Sequence, residues 1–274
     1  MVVALIYDFD GTLSPGNMQE YDFIPAIGKN NDEFWSRSNR IAEENDADPI
    51  LTYMNEMISQ AHKSEVSLRR EAFMASGSKV QLYEGAEGWF KRINSYGRNR
   101  GIEIEHYINS SGIKEMIEGT PIAKYFKKIF ACTFLYTVDG VAYWPAVAVN
   151  YTNKTQFMFK INKGIDSVFD TKLINRFVPE DDRPVPFRNM IYIGDGTTDI
   201  PCMRLVKEKN GNAIAVYNPA EAETGESLRQ LIEDKRVNFV APADYSPDGK
   251  LDTIVKGIID KLAAEYKLEG LRNM

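Results

Sequence analysis

The sequence predicts an α/β fold: a doubly wound, mostly parallel sheet with an inserted all-helical segment. Three observations support this prediction. Short apolar runs recur along the chain, helical patterns separate most of them, and one long segment after the first run contains helical patterns without a strand pattern. Strands that alternate with helices are typical of a parallel sheet. A chain of 274 residues is long enough for such a core and a smaller insert.

The predicted strands are short and apolar. The first, VVALIY, is apolar without alternation, as expected for a strand that is covered on both faces. The others are IEIEHYINSSG (102–112), KIFACTFLY (128–136), NMIYIGDG (189–196), NAIAVYN (212–218) and VNFVAPADY (237–245). Helical patterns such as GIKEMIEGTPIAKYFK and TTDIPCMRLVKEK lie between them.

The segment 14–101 is predicted to be entirely helical. Its stretch DPILTYMNEMISQAHK opens with Asp48, a suitable N-cap, and Pro49 at the first helical position. One face of this helix is apolar, formed by Leu51, Met54, Ile58 and Ala61. We therefore predict that residues 1–13 and 102–274 form the sheet domain and that 14–101 is a helical insert.

A hairpin is predicted where the strand and helix alternation breaks. Asp139 and Gly140 are flanked by apolar residues, which is a strong signal for a tight turn between antiparallel strands. The stretch NKTQFMFKINKG follows and has an amphipathic helical pattern that begins near Lys154.

Composition and charge limit the function classes. The net charge of −6 disfavours a nucleic-acid surface. The apolar N-terminal run lacks a basic flank and does not resemble a signal peptide, and no run approaches the ~20 residues that span a bilayer. Cys132 and Cys202 are the only cysteines and form no CxxC motif, which favours a reducing cytoplasm.

The two histidines limit the chemistry further. His62 and His106 provide neither an HExxH motif nor a His-rich zinc site. His106 lies within a predicted strand and is interpreted as a core residue, so a Ser-His-Asp triad is disfavoured.

Carboxylates follow two predicted strands. Asp8 and Asp10 come directly after the first strand, and their spacing directs both to the same side. Asp195 and Asp199 follow the strand NMIYIG, and the carboxyl ends of parallel strands lie at one edge. Carboxylates that converge there would repel each other without a cation, and oxygen ligands suit Mg²⁺.

Simpler readings of these motifs exist. An isolated DxDG is usually a solvated turn. A calcium loop is disfavoured, because Leu13 and Gln19 occupy the positions where that loop needs glycine and glutamate.

A complementary anion site is predicted from NSSG and Lys154. Ser110, Ser111 and Gly112 lie at a strand end just before a helical pattern, where hydroxyl and backbone N–H groups can bind an anion. Lys154 can supply a fixed positive charge. Alone, NSSG would be a helix cap and Lys154 a surface lysine; their order along the chain favours a site.

These motifs together resemble the haloacid dehalogenase-like hydrolase superfamily. The matching residues are DFDGTL, Ser110 in YINSSG, Lys154 and IGDGTTD, in that order. The resemblance implies that Asp8 is the nucleophile and Asp10 the general acid and base. It implies that Ser110, or Ser111 as an alternative, binds the phosphoryl group with Lys154. It further implies magnesium ligation by Asp8, the Asp10 carbonyl and Asp195, with Asp199 as a ligand or support.

The resemblance also implies a function. The insert at 14–101 corresponds to a helical cap, as in the phosphoserine phosphatase-like branch, and the implied activity is a magnesium-dependent phosphatase acting on a small phosphorylated metabolite. A phosphomutase or phosphotransferase, and a non-catalytic phosphate or magnesium binder, remain alternatives. Glu20, Arg69 and Arg70 are candidates for contacting the leaving group, although each is more simply read as a solvated charge.

Overall fold

The protein is organised around one seven-stranded sheet. A computed structural model describes residues 1–196, 198–220 and 231–272. The strands are β1 (Val2–Tyr7), β2 (Glu103–Ile113), β3 (Phe126–Tyr136), β4 (Ala142–Val147), β5 (Met190–Gly194), β6 (Asn212–Tyr217) and β7 (Phe239–Pro242). Their order in the sheet is β4-β3-β2-β1-β5-β6-β7, and among these described strands only the β3–β4 pairing is antiparallel. The predicted fold class is confirmed.

β1 occupies the centre of the sheet. It pairs with β2 from Val2 to Tyr7 on one side and with β5 from Ala4 to Tyr7 on the other. Both faces are covered, since every residue from Val3 to Tyr7 is fully buried. This position explains the continuous apolar run, and it places the carboxylates that follow β1 in the middle of the carboxyl edge.

Helices flank the sheet and form the insert. They are α1 (Phe23–Ala26), α2 (Asn31–Glu44), α3 (Pro49–Lys63), α4 (Arg70–Gly77), α5 (Ala86–Arg98), α6 (Lys114–Glu118), α7 (Lys154–Lys163), α8 (Thr171–Asn175), α9 (Ile200–Glu208) and α10 (Lys250–Arg272). The start of α3 is as predicted: Asp48 accepts hydrogen bonds from the Ile50 and Leu51 N–H groups, and Pro49 is the first helical residue. None of the helices in the described ranges is long and apolar enough to cross a membrane.

The contacts of α5 bear on where the insert ends. α5 packs against β2 and α10. Its Trp89 is fully buried, and Arg92 lies 3.0 Å from Asp252 of α10. The sequence pattern assigned α5 to the insert, because an amphipathic helix has the same periodicity whichever surface it covers. We therefore propose that the cap consists of α1–α4 and ends before α5, near Gly85.

α4 and α6 cross each other at close range. A Cβ on Gly77 of α4 would lie 1.9 Å from the Met116 carbonyl oxygen, and a Cβ on Gly119 would lie 1.9 Å from the Met74 carbonyl oxygen. Only residues without a side chain permit α4 and α6 to approach this closely.

His106 is a satisfied core residue, as predicted. Trp89 donates from Nε1 to the Tyr7 hydroxyl (2.9 Å), which is 3.0 Å from His106 Nδ1, and His106 Nε2 is 2.9 Å from Asn94 Oδ1. Because Asn94 Oδ1 can only accept, Nε2 carries the single proton of the neutral ring, and Nδ1 accepts from the Tyr7 hydroxyl. Burial lowers the pKa of His106 to about 3, so the ring is neutral.

The predicted hairpin is present. Asp139 and Gly140 form the turn between β3 and β4, and Gly140 has a φ of 77°. A left-handed φ at this position is readily adopted by glycine.

Candidate active site

The first carboxylate lies directly at the end of β1. Asp8 is 6% exposed; its Oδ1 accepts a hydrogen bond from the Phe9 N–H (2.8 Å), and its Oδ2 is 3.0 Å from Lys154 Nζ. Phe9 is fully buried, consistent with the alternation of strand side chains. The chain then turns at Gly11, where φ is 73° and a Cβ would lie 2.1 Å from Asp195 Oδ2. Glycine is therefore required both by the turn and by the approach of Asp195.

Asp10 is held by the start of the insert. Its Oδ1 accepts a hydrogen bond from the Met18 N–H (2.9 Å). Burial, and then repulsion from Asp8, raises the pKa of Asp10 well above its usual range. A raised pKa favours the protonated form of this carboxyl group, which suits a proton donor.

Lys154 is the central cation of the site. It is the first residue of α7 and is fully buried, with Nζ 3.0 Å from Asp8 Oδ2 and 2.8 Å from Asp199 Oδ1. Burial lowers the pKa of Lys154, but Asp199 and Asp8 outweigh that effect and raise it above its ordinary value. Tyr192 also donates to Asp199 Oδ1 (2.6 Å). The lysine is charged and fixed, which its sequence position alone did not establish.

Three carboxylates converge beside this lysine. One oxygen each of Asp8, Asp195 and Asp199 lies within 4.8 Å of the other two. Burial and mutual repulsion raise the pKa of Asp8 to about 6 and that of Asp195 to about 8. Such a cluster of hard oxygen atoms fits a divalent cation, which would relieve the repulsion.

One oxygen of this cluster is particularly informative. Asp199 Oδ2 is buried and has no hydrogen-bond partner among the described residues. It lies against Gly194, where a Cβ would be 2.4 Å away. Buried carboxylate oxygens normally have a partner, so the residues present fit a metal ion held by Asp8, Asp195 and Asp199.

The two serines lie at the carboxyl end of β2, next to β1. Ser110 is fully buried and its Oγ accepts a hydrogen bond from the Gly112 N–H (3.0 Å). Ser111 is half-buried, and its Oγ has no partner in the ranges that the structure covers. Both serines line the pocket above Asp8, so either hydroxyl is positioned to contact an anion there.

The pocket above these groups has a volume of about 240 Å³ and lies between the sheet edge and the insert. The sequence identified the floor of this pocket, which is formed by carboxylates and serines at the sheet edge. It missed the wall of the pocket, whose side chains lie on the loop 10–21, α2 and α3. The pocket-lining residues that it missed are Asn17, Gln19, Trp35, Ile50, Tyr53 and Thr198. On an amphipathic helix, a side chain that faces a pocket has the same spacing as one that faces the core, so no sequence signal separated Trp35 and Tyr53 from core residues.

The three charged candidates for the leaving group do not line the pocket. Glu20 accepts hydrogen bonds from Asn17 and from the Trp35 indole (2.7 Å). Arg69 donates to the Asp139 carbonyl, and Arg70 pairs with Glu115 at 3.2 Å. Both arginines therefore contact the β3–β4 turn and α6 rather than the pocket, and a role for these three residues in contacting the leaving group stays a prediction.

Comparison with known proteins supports the fold. The chain matches no protein-family model. It is 29% identical over 279 residues to an uncharacterized protein of Borreliella burgdorferi, covering 91% of this chain and 94% of that protein.

Among solved structures, a phospho-aspartyl intermediate analogue of phosphoserine phosphatase is 17% identical, with a TM-score of 0.54 and coverage of 93% of this chain and 97% of that one. A probable phosphoserine phosphatase of Vibrio cholerae is 12% identical, with a TM-score of 0.58 and coverage of 97% and 67%. A HAD-family hydrolase of Salmonella enterica serovar Typhi is 18% identical, with a TM-score of 0.52; the match covers 80% of this chain and 64% of that one. The chain therefore has the fold of the haloacid dehalogenase-like hydrolases of the phosphoserine phosphatase type, as its motifs predict.

Proposed function

We propose that this protein is a magnesium-dependent phosphatase that hydrolyses a small phosphorylated metabolite through an aspartyl-phosphate intermediate. The observation that carries the proposal is the buried Lys154, held between Asp8 and Asp199 beside Asp195. A fixed cation and a carboxylate cluster at the carboxyl edge of a parallel sheet are the groups that phosphoryl transfer requires.

In the first step, an oxygen of Asp8 attacks the phosphorus atom and the ester P–O bond breaks. Asp10 donates its proton to the leaving alcohol oxygen, so that a neutral alcohol departs. The hydrogen bond from the Phe9 N–H and the contact with Lys154 orient the Asp8 carboxylate for this attack.

In the second step, Asp10 takes a proton from a water molecule, and that oxygen attacks the phosphorus atom of the aspartyl-phosphate. The bond to Asp8 breaks, and inorganic phosphate and the free carboxylate result. Lys154, with Ser110 or Ser111, contacts the phosphoryl oxygens in both steps. A magnesium ion, when bound by Asp8, Asp195 and Asp199 with the Asp10 carbonyl, would neutralise negative charge between the carboxylates and the phosphate.

The size of the pocket supports a small substrate. A volume of about 240 Å³, closed on one side by α2 and α3, fits a phosphate with a short leaving group but not a folded protein. Both cysteines are buried free thiols, which supports a cytoplasmic enzyme.

The experiment is a phosphate-release assay over a panel of phosphorylated metabolites, with magnesium or with a chelator. We expect release that depends on magnesium, together with a hydroxylamine-sensitive phosphoryl adduct on the peptide that contains Asp8. Transfer to an added alcohol without release to water would instead indicate a phosphotransferase. Absence of any turnover across the panel would reject the proposal.

A further inference from the structure

The wall of the pocket differs in charge from its floor. Asp8, Asp10 and Asp195 contribute carboxylates to the floor. Among the described residues that line the pocket, none is basic, and Lys154, which is assigned to the phosphoryl group, is already paired with two carboxylates. With a divalent cation and a phosphate dianion bound, the site would still carry net negative charge, so a further anion on the substrate would find no partner.

The wall is formed by apolar and uncharged groups. Trp35 from α2 and Ile50 and Tyr53 from α3 line it, with the Trp35 and Tyr53 ring centroids 5.7 Å apart. The Tyr53 hydroxyl donates to the Ser111 carbonyl (2.6 Å), so its ring is fixed against the sheet domain. These surfaces suit the carbon atoms of a leaving group rather than a charged group.

Gln19 adds a polar group to the wall, and Glu20, which does not line the pocket, supports the wall through Trp35. Glu20 accepts a hydrogen bond from the Trp35 indole and thereby fixes that ring. Gln19 is 2% exposed and lines the pocket, yet its Oε1 has no hydrogen-bond partner within the described part of the chain. An unpaired buried amide oxygen is a suitable acceptor for a donor on the substrate.

We infer that this pocket selects phosphomonoesters whose leaving alcohol carries no negative charge, with Trp35 and Ile50 as the specificity-determining wall and Glu20 as the residue that positions Trp35. The inference rests on the proposed phosphatase function and names its substrate class. The leaving group is a short alcohol with a hydrogen-bond donor, hydroxyl or ammonium, within reach of Gln19.

Two matched substrate pairs test the wild-type enzyme. Phosphoethanolamine and phosphoserine differ by one carboxylate, and glycerol 3-phosphate and 3-phosphoglycerate differ by a hydroxymethyl group in place of a carboxylate. We expect kcat/KM to be at least tenfold higher for the uncharged or cationic member of each pair. Equal or better turnover of the carboxylates would overturn the inference while leaving the phosphatase proposal intact. No phosphate release from any of the four would count against both.

Two variants test the wall directly. Ile50→Arg places a cation in the pocket, whereas Leu51→Arg places it on the next residue of α3, which is 44% exposed and outside the pocket. We expect Ile50→Arg to raise the 3-phosphoglycerate to glycerol 3-phosphate ratio of kcat/KM about tenfold, and Leu51→Arg to leave that ratio unchanged. Equal ratios in the two variants would overturn the assignment of the wall. If Ile50→Arg does not fold, the two substrate pairs measured with the wild-type enzyme still test whether the pocket disfavours an anionic leaving group.

Glu20→Gln tests the positioning role, because glutamine keeps an oxygen that accepts from the Trp35 indole. We expect Glu20→Gln to preserve the preference within each substrate pair and Glu20→Ala to raise KM several-fold with a smaller change in kcat. Equal KM values for the two variants would argue against a positioning role.

Discussion

At the scale of single residues, the site depends on how Asp8 is held. Its carboxylate is nearly buried, accepts a hydrogen bond from the Phe9 N–H and faces Lys154, so its orientation does not depend on the cap. The raised pKa of Asp8 shows that its surroundings disfavour its negative charge in the metal-free protein. The proposed reaction therefore requires a carboxylate at this position, whereas the stability of the metal-free fold favours an uncharged side chain.

Asp8→Asn should separate the effect of this carboxylate on activity from its effect on stability. We expect the variant to lose phosphate release by about three orders of magnitude or more, because the proposed nucleophile is absent. Without metal at pH 7, its melting temperature should equal or exceed that of the wild type, since a disfavoured charge is removed. Asp46→Asn, in an exposed turn with a φ of 48°, is the control and should match the wild type in both assays. Near-normal turnover by Asp8→Asn would exclude the mechanism.

His106 should make stability depend on pH. Its pKa is about 3 in the folded protein, against an ordinary value of 6.5, so the unfolded chain binds a proton that the folded chain excludes. The free energy of unfolding should therefore fall as pH decreases from 6.5 towards 3, by up to about 1.4 kcal/mol per pH unit from this residue. Urea titrations of the wild type and His106→Gln should show a weaker dependence in the variant. His62→Gln, at the exposed end of α3, is the control, and parallel curves for wild type and His106→Gln would contradict the assignment.

At the scale of elements, the sequence predicts the strands closely, whereas the limits of the insert stay a prediction. The apolar runs at 2–7 and 212–218 and the Asp139–Gly140 turn match the observed elements closely, because burial on both faces and turn chemistry are local signals. The sequence did not predict that α5 packs on the sheet, because the periodicity of an amphipathic helix does not indicate which surface its apolar face covers. The same ambiguity concealed Trp35 and Tyr53 as pocket residues.

The crossing of α4 and α6 should be intolerant of a methyl group. Gly77→Ala would force its Cβ against the Met116 carbonyl oxygen, and we expect the free energy of unfolding to fall by about 1–3 kcal/mol despite the better helix propensity of alanine. Gly257→Ala in α10 is the matched control, because no atom beyond its neighbouring residues and the local helix backbone lies within 4 Å of the position that its Cβ would occupy. The control should gain about 0.5–1 kcal/mol in urea denaturation. A higher free energy of unfolding for both variants would show that α4 and α6 can move apart without loss of stability.

At the scale of the whole molecule, the candidate metal ligands join two distant parts of the chain. Asp8 follows β1, while Asp195 and Asp199 follow β5, so an ion held by all three would bind only the folded protein. The four motifs could be predicted from sequence, since parallel strands bring their ends together. The buried pairing of Lys154 with both Asp8 and Asp199 could not, because it depends on how α7 packs.

Magnesium should therefore stabilise the fold. We expect the melting temperature of the wild type to rise with magnesium concentration and to fall again with a chelator, by mass action. Asp195→Asn should need much more magnesium for the same rise and for half-maximal phosphate release. Asp46→Asn should follow the wild-type curve. A magnesium response in Asp195→Asn identical to that of the wild type would remove Asp195 from the ligand set.

The central position of β1 has a consequence for how the protein is made. β1 is synthesised before the other strands of the described sheet, and its neighbours β2 and β5 begin only at Glu103 and Met190. Pairings between residues so distant in sequence form slowly, and a nascent chain that ends before β5 leaves one edge of an apolar strand unpaired. Ribosome-bound chains that end near residue 185 should accordingly aggregate or recruit chaperones on release, whereas chains that extend beyond β7 should not. Sedimentation of such released chains would measure this difference, and equal solubility of the two would contradict it.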